Sequence, residues 1–281
     1  MAMAMQVALL TRWEWFKLRR RWVPWIVLGF VLVIVQLIFW LVATLSDDVS
    51  YQSPAENIAN GLGFSAFFGP FIAVILAAAV LGGEYGWGTL RPVLSKGAGR
   101  WPFLFSKVAV VVLVTVSILI ILSITVMISG FIAEAVLTAD PQAEGYGAIS
   151  WVDLLALFGR MVYGFVPYIM LALFLVVLTA SNGVGIGLSL GYYIAESVIL
   201  VPILAIFDWS DQVFAYLLGP NVNAWQSVPG NGGDPASGIA TIGGMSEMAH
   251  GAIFVTIYTV ALAAGAVALF LRRDIAGAKG G

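Results

Sequence analysis

The sequence predicts an all-α, polytopic membrane protein with six transmembrane helices, an N-terminal interfacial helix and a short cytosolic helix between spans two and three. Three observations predict the six spans. Hydrophobic residues make up 61% of the 281 and charged residues only 10%, with a mean hydropathy of +0.99, far more apolar than soluble domains. Apolar runs at about 23–45, 64–82, 108–133, 155–180, 184–207 and 251–271 are each long enough to cross a bilayer as a helix. The charges between those runs alternate in sign: Lys and Arg cluster before the first, between the second and third and after the last, while Asp and Glu dominate the other intervals.

The N-terminal segment, residues 1–22, forms the first element. On a helix over 6–21, Leu9, Trp13 and Phe16 share one face, with Glu14, Lys17 and Arg21 largely opposite. That pattern suits a helix lying in the inner membrane interface; a simple basic flank that fixes orientation is the other reading. No small-residue cleavage site follows Trp40, so the first span is expected to be retained.

The remainder, 23–272, carries the six spans, and 273–281 forms a cytosolic tail. An even number of crossings returns the C-terminus to the starting side. With that side taken as the cytoplasm, Arg12, Lys17, Arg19, Arg20, Arg21, Arg91, Lys96, Arg100, Lys107, Arg272, Arg273 and Lys279 all lie inside. Asp47, Asp48, Glu56, Glu134, Asp140, Glu144, Asp153, Asp208, Asp211, Asp234 and Glu247 lie outside. Arg160 is the basic exception. The long outer interval, 208–250, has a Gly/Pro/Asn-rich centre at 229–235 that reads as an irregular loop. Before that centre, residues 212–218 read as a short amphipathic helix on the outer surface, stopped by Gly219 and Pro220.

The inner connection 83–107 is polar and basic, yet it holds an apolar stripe. Thr89 can cap a short helix whose first turn tolerates Pro92, and Gly97 is placed to stop it. Leu90, Val93 and Leu94 fall at i, i+3 and i+4, a pattern a merely solvated loop does not need. Glu84, Gly88-Thr89-Leu90, Val93-Leu94, Arg100 and Lys107 resemble the loop after the second span of ABC type 2 permeases. That family often has a Pro before the Arg, whereas here residues 95–99 occupy the interval. The resemblance implies a membrane subunit of an ATP-binding cassette exporter, in which this loop is a coupling helix seated in a groove of a separate cytosolic ATPase. It implies two such ATPase subunits, a second permease copy or paralogue, and ATP-coupling roles for Glu84, Gly88, Thr89, Leu90, Arg91, Val93, Leu94 and Arg100.

Other constellations were weighed on their geometry. No GxxxxGK[ST] loop occurs, so any ATP and magnesium are expected on a partner chain. The absence of cysteine excludes disulfides and thiolate metal ligands, and a lone histidine, His250, cannot make a zinc site. Ser189 stands in a GxSxG pattern, but the topology separates it from His250 by roughly 20 Å of depth at 1.5 Å per residue, against a serine hydrolase. Gly183, Gly187 and Gly191 recur on one face of span five, fitting either internal packing against spans four and six or a subunit interface. Arg160 and Glu196 are the two charges within apolar spans. Their depths differ by about 10 Å, so direct pairing is open; Arg160 can snorkel outward beside Trp151 and Asp153, while Glu196 is the candidate for a pathway or the dimer axis.

The function expected from this reading is export of an amphipathic or apolar compound from a bacterial-type inner membrane, with both termini cytoplasmic, membrane lipids as surroundings and no nucleic-acid partner. The chain is expected to carry no catalytic residue, metal or cofactor of its own. The alternatives are a membrane-embedded enzyme using Ser189 or Glu196, and a non-transporting scaffold or immunity protein.

Overall fold

The computed structural model describes residues 2–45, 54–95, 99–136, 149–207, 209–227, 239–241 and 244–272. Asp47, Asp48, Lys96, Gly97, Asp140, Glu144, Asp208, Asp234, Arg273 and Lys279, the loop centre at 229–235 and the tail lie outside them. All regular structure among the described residues is helical, and six helices are long and apolar enough to cross a membrane.

In chain order these are α1 (Ala2–Arg19), α2 (Trp22–Leu45), α3 (Pro54–Gly86), α4 (Leu90–Ser95), α5 (Arg100–Val136), α6 (Trp151–Thr179) and α7 (Asn182–Tyr193). A π-helical stretch, Ile194–Leu200, continues α7 into α8 (Val201–Leu204), so span five is one discontinuous helix over Asn182–Leu204. Two short helices, α9 (Ser210–Phe214) and α10 (Leu218–Gln226), precede the last span, α11 (Glu247–Arg272). The helices outrun the apolar runs that announce them. α5 has 37 residues, about 55 Å, so it projects beyond a hydrocarbon core of about 30 Å.

α3 and α6 are the most buried spans, and α3 packs along both α5 and α6. Their shared core includes Leu76, Leu81, Phe165, Tyr168, Leu173 and Val176. α2, span five and α11 keep broad apolar faces uncovered, as helices that border lipid do. The connection between α6 and α7 is two residues long. Ala180 takes the left-handed conformation, φ 51°, while its amide donates to Val176 O at 2.9 Å; Ser181 Oγ then accepts from Val184 N at 3.4 Å. The turn forces spans four and five to run antiparallel side by side.

One end of the bundle gathers α1, α4, the last turn of α3, the first turn of α5 and the last turn of α11. A direct link fixes this: Arg100 Nη1 donates to Leu271 O at 2.6 Å, satisfying a carbonyl that the end of α11 leaves open. The other end holds α9, α10 and the first turns of α6 and α11. Here the structure corrects the sequence reading. The segment 212–218 is not one surface helix: α9 ends at Phe214, and Gly219-Pro220, read as a stop, lies with Leu218 in the first turn of a buried α10. Proline is tolerated in a first turn, where its missing N–H has no helical acceptor, and Asn221 Nδ2 reaches the carbonyls of Phe214, Ala215 and Leu217 at the turn between α9 and α10.

Candidate functional site

The charged end is built around the exit from α3. That helix closes with a Schellman pattern: Gly88 N donates to Tyr85 O at 3.3 Å and Thr89 N to Glu84 O at 3.1 Å. The motif needs a left-handed residue at Gly88, whose φ is +65°. α4 begins on the next residue, with Val93 N donating to Thr89 O at 3.2 Å. Thr89 does not cap α4 through its side chain; its hydroxyl turns back and donates to Glu84 Oε2.

Glu84 is the hub. Its Oε1 meets Lys107 Nζ at 2.8 Å and Lys17 Nζ at 3.1 Å, and both lysines also reach Glu14, Lys107 at 2.8 Å. Two carboxylates and two ammonium groups thus alternate across three elements, α1, α3 and α5. The Lys107 side chain is 0% exposed and both carboxylates are buried, while the Lys17 side chain stays 42% exposed, so the network is an internal one that opens to the surface at Lys17. Burial pulls the Lys17 ammonium down, but the Glu14 hydrogen bond and the charges of Glu14 and Glu84 outweigh it and hold its pKa above the ordinary lysine value. Arg21 adds a further tie, its guanidinium lying 4.4 Å over the exposed Trp87 ring. The expectation that Glu14 shares an outward polar face of α1 with Lys17 is therefore corrected for Glu14, while Lys17 stays exposed. Glu14 faces the bundle, while Leu9, Trp13 and Phe16 remain exposed.

The structure also revises the apolar stripe of α4. Leu90 is buried, and Val93 and Leu94 are half-buried against the chain's own core. These side chains are not a free docking face, because α4 lies back on the membrane bundle. What α4 and its approach present outward is Pro92, Ser95 and Trp87. The backbone of Arg91 is helical, and its side chain is outside the described set.

At the opposite end, Arg160 is buried at 9% exposure, and its Nη1 donates to Ser227 O at 2.6 Å. It clamps the end of α10 instead of snorkelling to the outer surface. Trp225 Nε1 returns a bond to Arg160 O at 3.1 Å, and Gln226 Nε2 reaches Met161 O at 3.3 Å. α10 is wedged between α6 and α11 so closely that a Cβ on Gly251 would stand 2.5 Å from Asn221 O. Glu196 lies in the π-helical stretch, 3% exposed, and forms no ion pair with Arg160. Neither of its carboxylate oxygens has a partner of ordinary hydrogen-bond geometry; the Tyr192 hydroxyl and the backbone of Leu218 and Gly219 stand nearest. A Cβ on Gly219 would stand 3.0 Å from Ser197 Oγ and an ordinary 3.5 Å from Glu196 Oε2, so α10 passes close to this turn of span five. Tyr193, on the bundle-facing side of span five, and Tyr168 of α6 meet edge to face, 5.5 Å between centroids.

Gly183, Gly187 and Gly191 all face away from the bundle, with nothing within 4 Å of the position a Cβ would take. That overturns the internal-packing reading of the stripe. Residues of the opposite face, Gly185, Ser189, Tyr193 and Glu196, make the contacts instead. Ser189 and His250 are committed elsewhere: the Ser189 hydroxyl donates to Gly185 O at 2.7 Å, and His250 Nδ1 lies 3.0 Å from Asn221 Oδ1. No group of three or more His, Cys, Asp or Glu residues placed to hold a metal occurs among the described residues.

Sequence reasoning missed Glu14, Lys17 and Asn221 as organising residues. A signal existed for the first: Glu14 is the sole acid before Asp47, in a stretch otherwise rich in Arg. Nothing in the local pattern announces which distant lysine it meets.

These features define a class, a multi-pass all-helical membrane protein whose charged end is internally braced. The chain belongs to the DUF2705 family, described as a protein of unknown function, which matches residues 25–276. It is similar to the uncharacterized protein YhcI of Bacillus subtilis strain 168, at 26% identity over 251 residues that cover 83% of this chain and 75% of that one.

Proposed function

We propose that this protein is the permease subunit of an ABC exporter, paired with a second permease copy or paralogue and driven by two cytosolic ATPase subunits that bind the ATP and magnesium. The observation that carries the reading is the exit from α3. A capped turn at Gly88-Thr89 delivers a six-residue helix, α4, at the charged end, and Glu84 ties that turn to Lys107 and Lys17. A short helix braced from behind, with Trp87, Pro92 and Ser95 facing outward, has the form of an element that receives force from a partner. On this reading the charged end is cytoplasmic, α1 is interfacial, α4 is the coupling helix, and the protein sits in the inner membrane of a prokaryote.

Glu84, Gly88, Thr89 and Leu90 shape and anchor the coupling loop, Val93 and Leu94 seat α4 on the bundle, and Arg91 and Arg100 supply charge, Arg100 also holding α11. The glycine stripe Gly183, Gly187, Gly191 serves the permease dimer. Glu196 stands at the break in span five, where a π-helical insertion and an uncompensated carboxyl mark a place suited to movement along the export path. Apolar spans with few charges favour an amphipathic or apolar cargo.

The test is purification of the protein from its host membrane, with identification by mass spectrometry of a Walker-motif ATPase and measurement of ATP hydrolysis by the complex. Stoichiometric recovery of such a subunit, with hydrolysis reduced at least tenfold by Trp87→Ala combined with Ser95→Arg, is the expected result. A chain that purifies without any ATPase under mild detergent overturns the reading.

A further inference from the structure

We infer that the outward face of α1 is a binding surface for anionic phospholipid headgroups. The inference requires only that the spans lie in a bilayer, and it stands or falls separately from the transporter reading.

Helical spacing sorts the α1 residues into two faces. Glu14 and Leu18, one turn apart, are buried against the bundle, whereas Leu9, Arg12, Trp13, Phe16, Arg19 and Arg20 are exposed. The division matters because Glu14 is the only acid in the first 46 residues, and the network with Lys107 and Lys17 takes it inside. The exposed face therefore carries three arginines and no acid. None of Arg12, Arg19 and Arg20 is in an ion pair among the described residues, although other cations at this end are engaged: Lys107 in the network, Arg100 on Leu271 O and Arg21 over Trp87.

Aromatic side chains are interleaved with these cations. Trp13 is 66% exposed and Phe16 48%, and the Arg20 guanidinium stacks 4.3 Å over the Phe16 ring. Trp22 and Trp25 continue the exposed aromatic band into the start of α2. Exposed arginines with indole and phenyl rings on one helix face, next to the first turn of a membrane span, match a phosphodiester headgroup above an acyl boundary. Charge complementarity selects the anionic class over the zwitterionic one, since each basic residue near such a surface contributes about 1 kcal/mol, roughly fivefold in affinity. A basic flank acting only in insertion would need the charges but not their segregation from Glu14 or the aromatic band. The same helix is joined through Lys17 and Glu84 to Thr89, so the lipid-facing element and the α4 turn share one brace.

The experiment uses the full chain in detergent with phosphatidylglycerol or phosphatidylcholine added, counting retained lipid by native mass spectrometry. Preferential retention of phosphatidylglycerol by the wild type is expected, with loss of about a hundredfold in that affinity in Arg12→Gln/Arg19→Gln/Arg20→Gln. The corresponding triple Lys variant, which keeps the charges, is expected to retain the preference and so separates charge from folding. Free glycerol phosphate is expected to compete only weakly, because the rings and not the arginines alone hold the lipid. Equal retention of the two lipids by the wild type, or an undiminished preference in the Gln variant, overturns the inference.

Discussion

The two ends of the bundle treat buried charge in opposite ways. At the α4 end, Glu14, Lys17, Glu84 and Lys107 alternate in sign, and every carboxylate has a cation within about 3 Å. At the α10 end, Arg160 faces a backbone carbonyl and Glu196 has no ion-pair partner among the described residues. A compensated network is costly to break and holds its parts in register, while an uncompensated carboxyl in a membrane span is tolerated only where it is used. The difference assigns rigidity to the end that would receive force and mobility to the break in span five.

The largest expected effect comes from breaking the compensation. Lys107→Met leaves the buried carboxylates of Glu14 and Glu84 sharing only the half-exposed Lys17 and should destabilise the protein by about 3–5 kcal/mol, read as a lowered unfolding temperature in detergent. Adding Glu14→Gln to that variant should recover much of the loss, because a single Lys17–Glu84 pair then remains and no carboxylate is left uncompensated. A Lys107→Met protein as stable as the wild type would remove the brace from the comparison.

A smaller effect is expected at the α10 end from crowding. Gly251→Ala drives a methyl group into the Asn221 carbonyl and should cost about 1–3 kcal/mol. Gly187→Ala, with open space around it, should leave monomer stability within about 0.5 kcal/mol while weakening any dimer measured by cross-linking. Thr89→Val removes one donor to Glu84 and should cost about 1 kcal/mol. Its sharper signature is reduced coupling of ATP hydrolysis to transport with assembly intact.

The smallest stability change is expected from Glu196→Gln, since no cation loses its partner. Thermal unfolding should be unchanged or slightly raised, while transport or cargo-stimulated hydrolysis changes severalfold. Normal transport in that variant would make Glu196 a purely structural residue.

Composition and run length made the six spans legible, because an apolar helix of about 20 residues has few alternatives. Arg160 and Glu196 were legible as anomalies, since a charge inside an apolar run stands out whatever it touches. Their surroundings were not. Gly219-Pro220 signals a stop and a start equally well, so α10 and its grip on Arg160 could not be anticipated. Lys107 meets Glu84 across 23 residues, and Lys17 meets it across 67. Such partnerships follow from packing, which helical periodicity does not encode. The stripe Leu90, Val93, Leu94 reads in the sequence as a face that wants a partner's groove, whereas this chain's own core covers much of it. For that reason Asp substitutions at Val93 and Leu94 would damage the bundle as well as any docking, and the outward residues make the cleaner probe.

The most direct test of the proposed coupling role uses the absence of native cysteine. Ser95→Cys, on the outward side of α4, and Val152→Cys, exposed at the other end, are each labelled with a benzophenone maleimide in native membranes and irradiated. Capture of a Walker-motif ATPase from position 95 and not from position 152 is the expected result. Absence of any ATPase adduct at position 95, in membranes where the protein is folded and labelled, would contradict it.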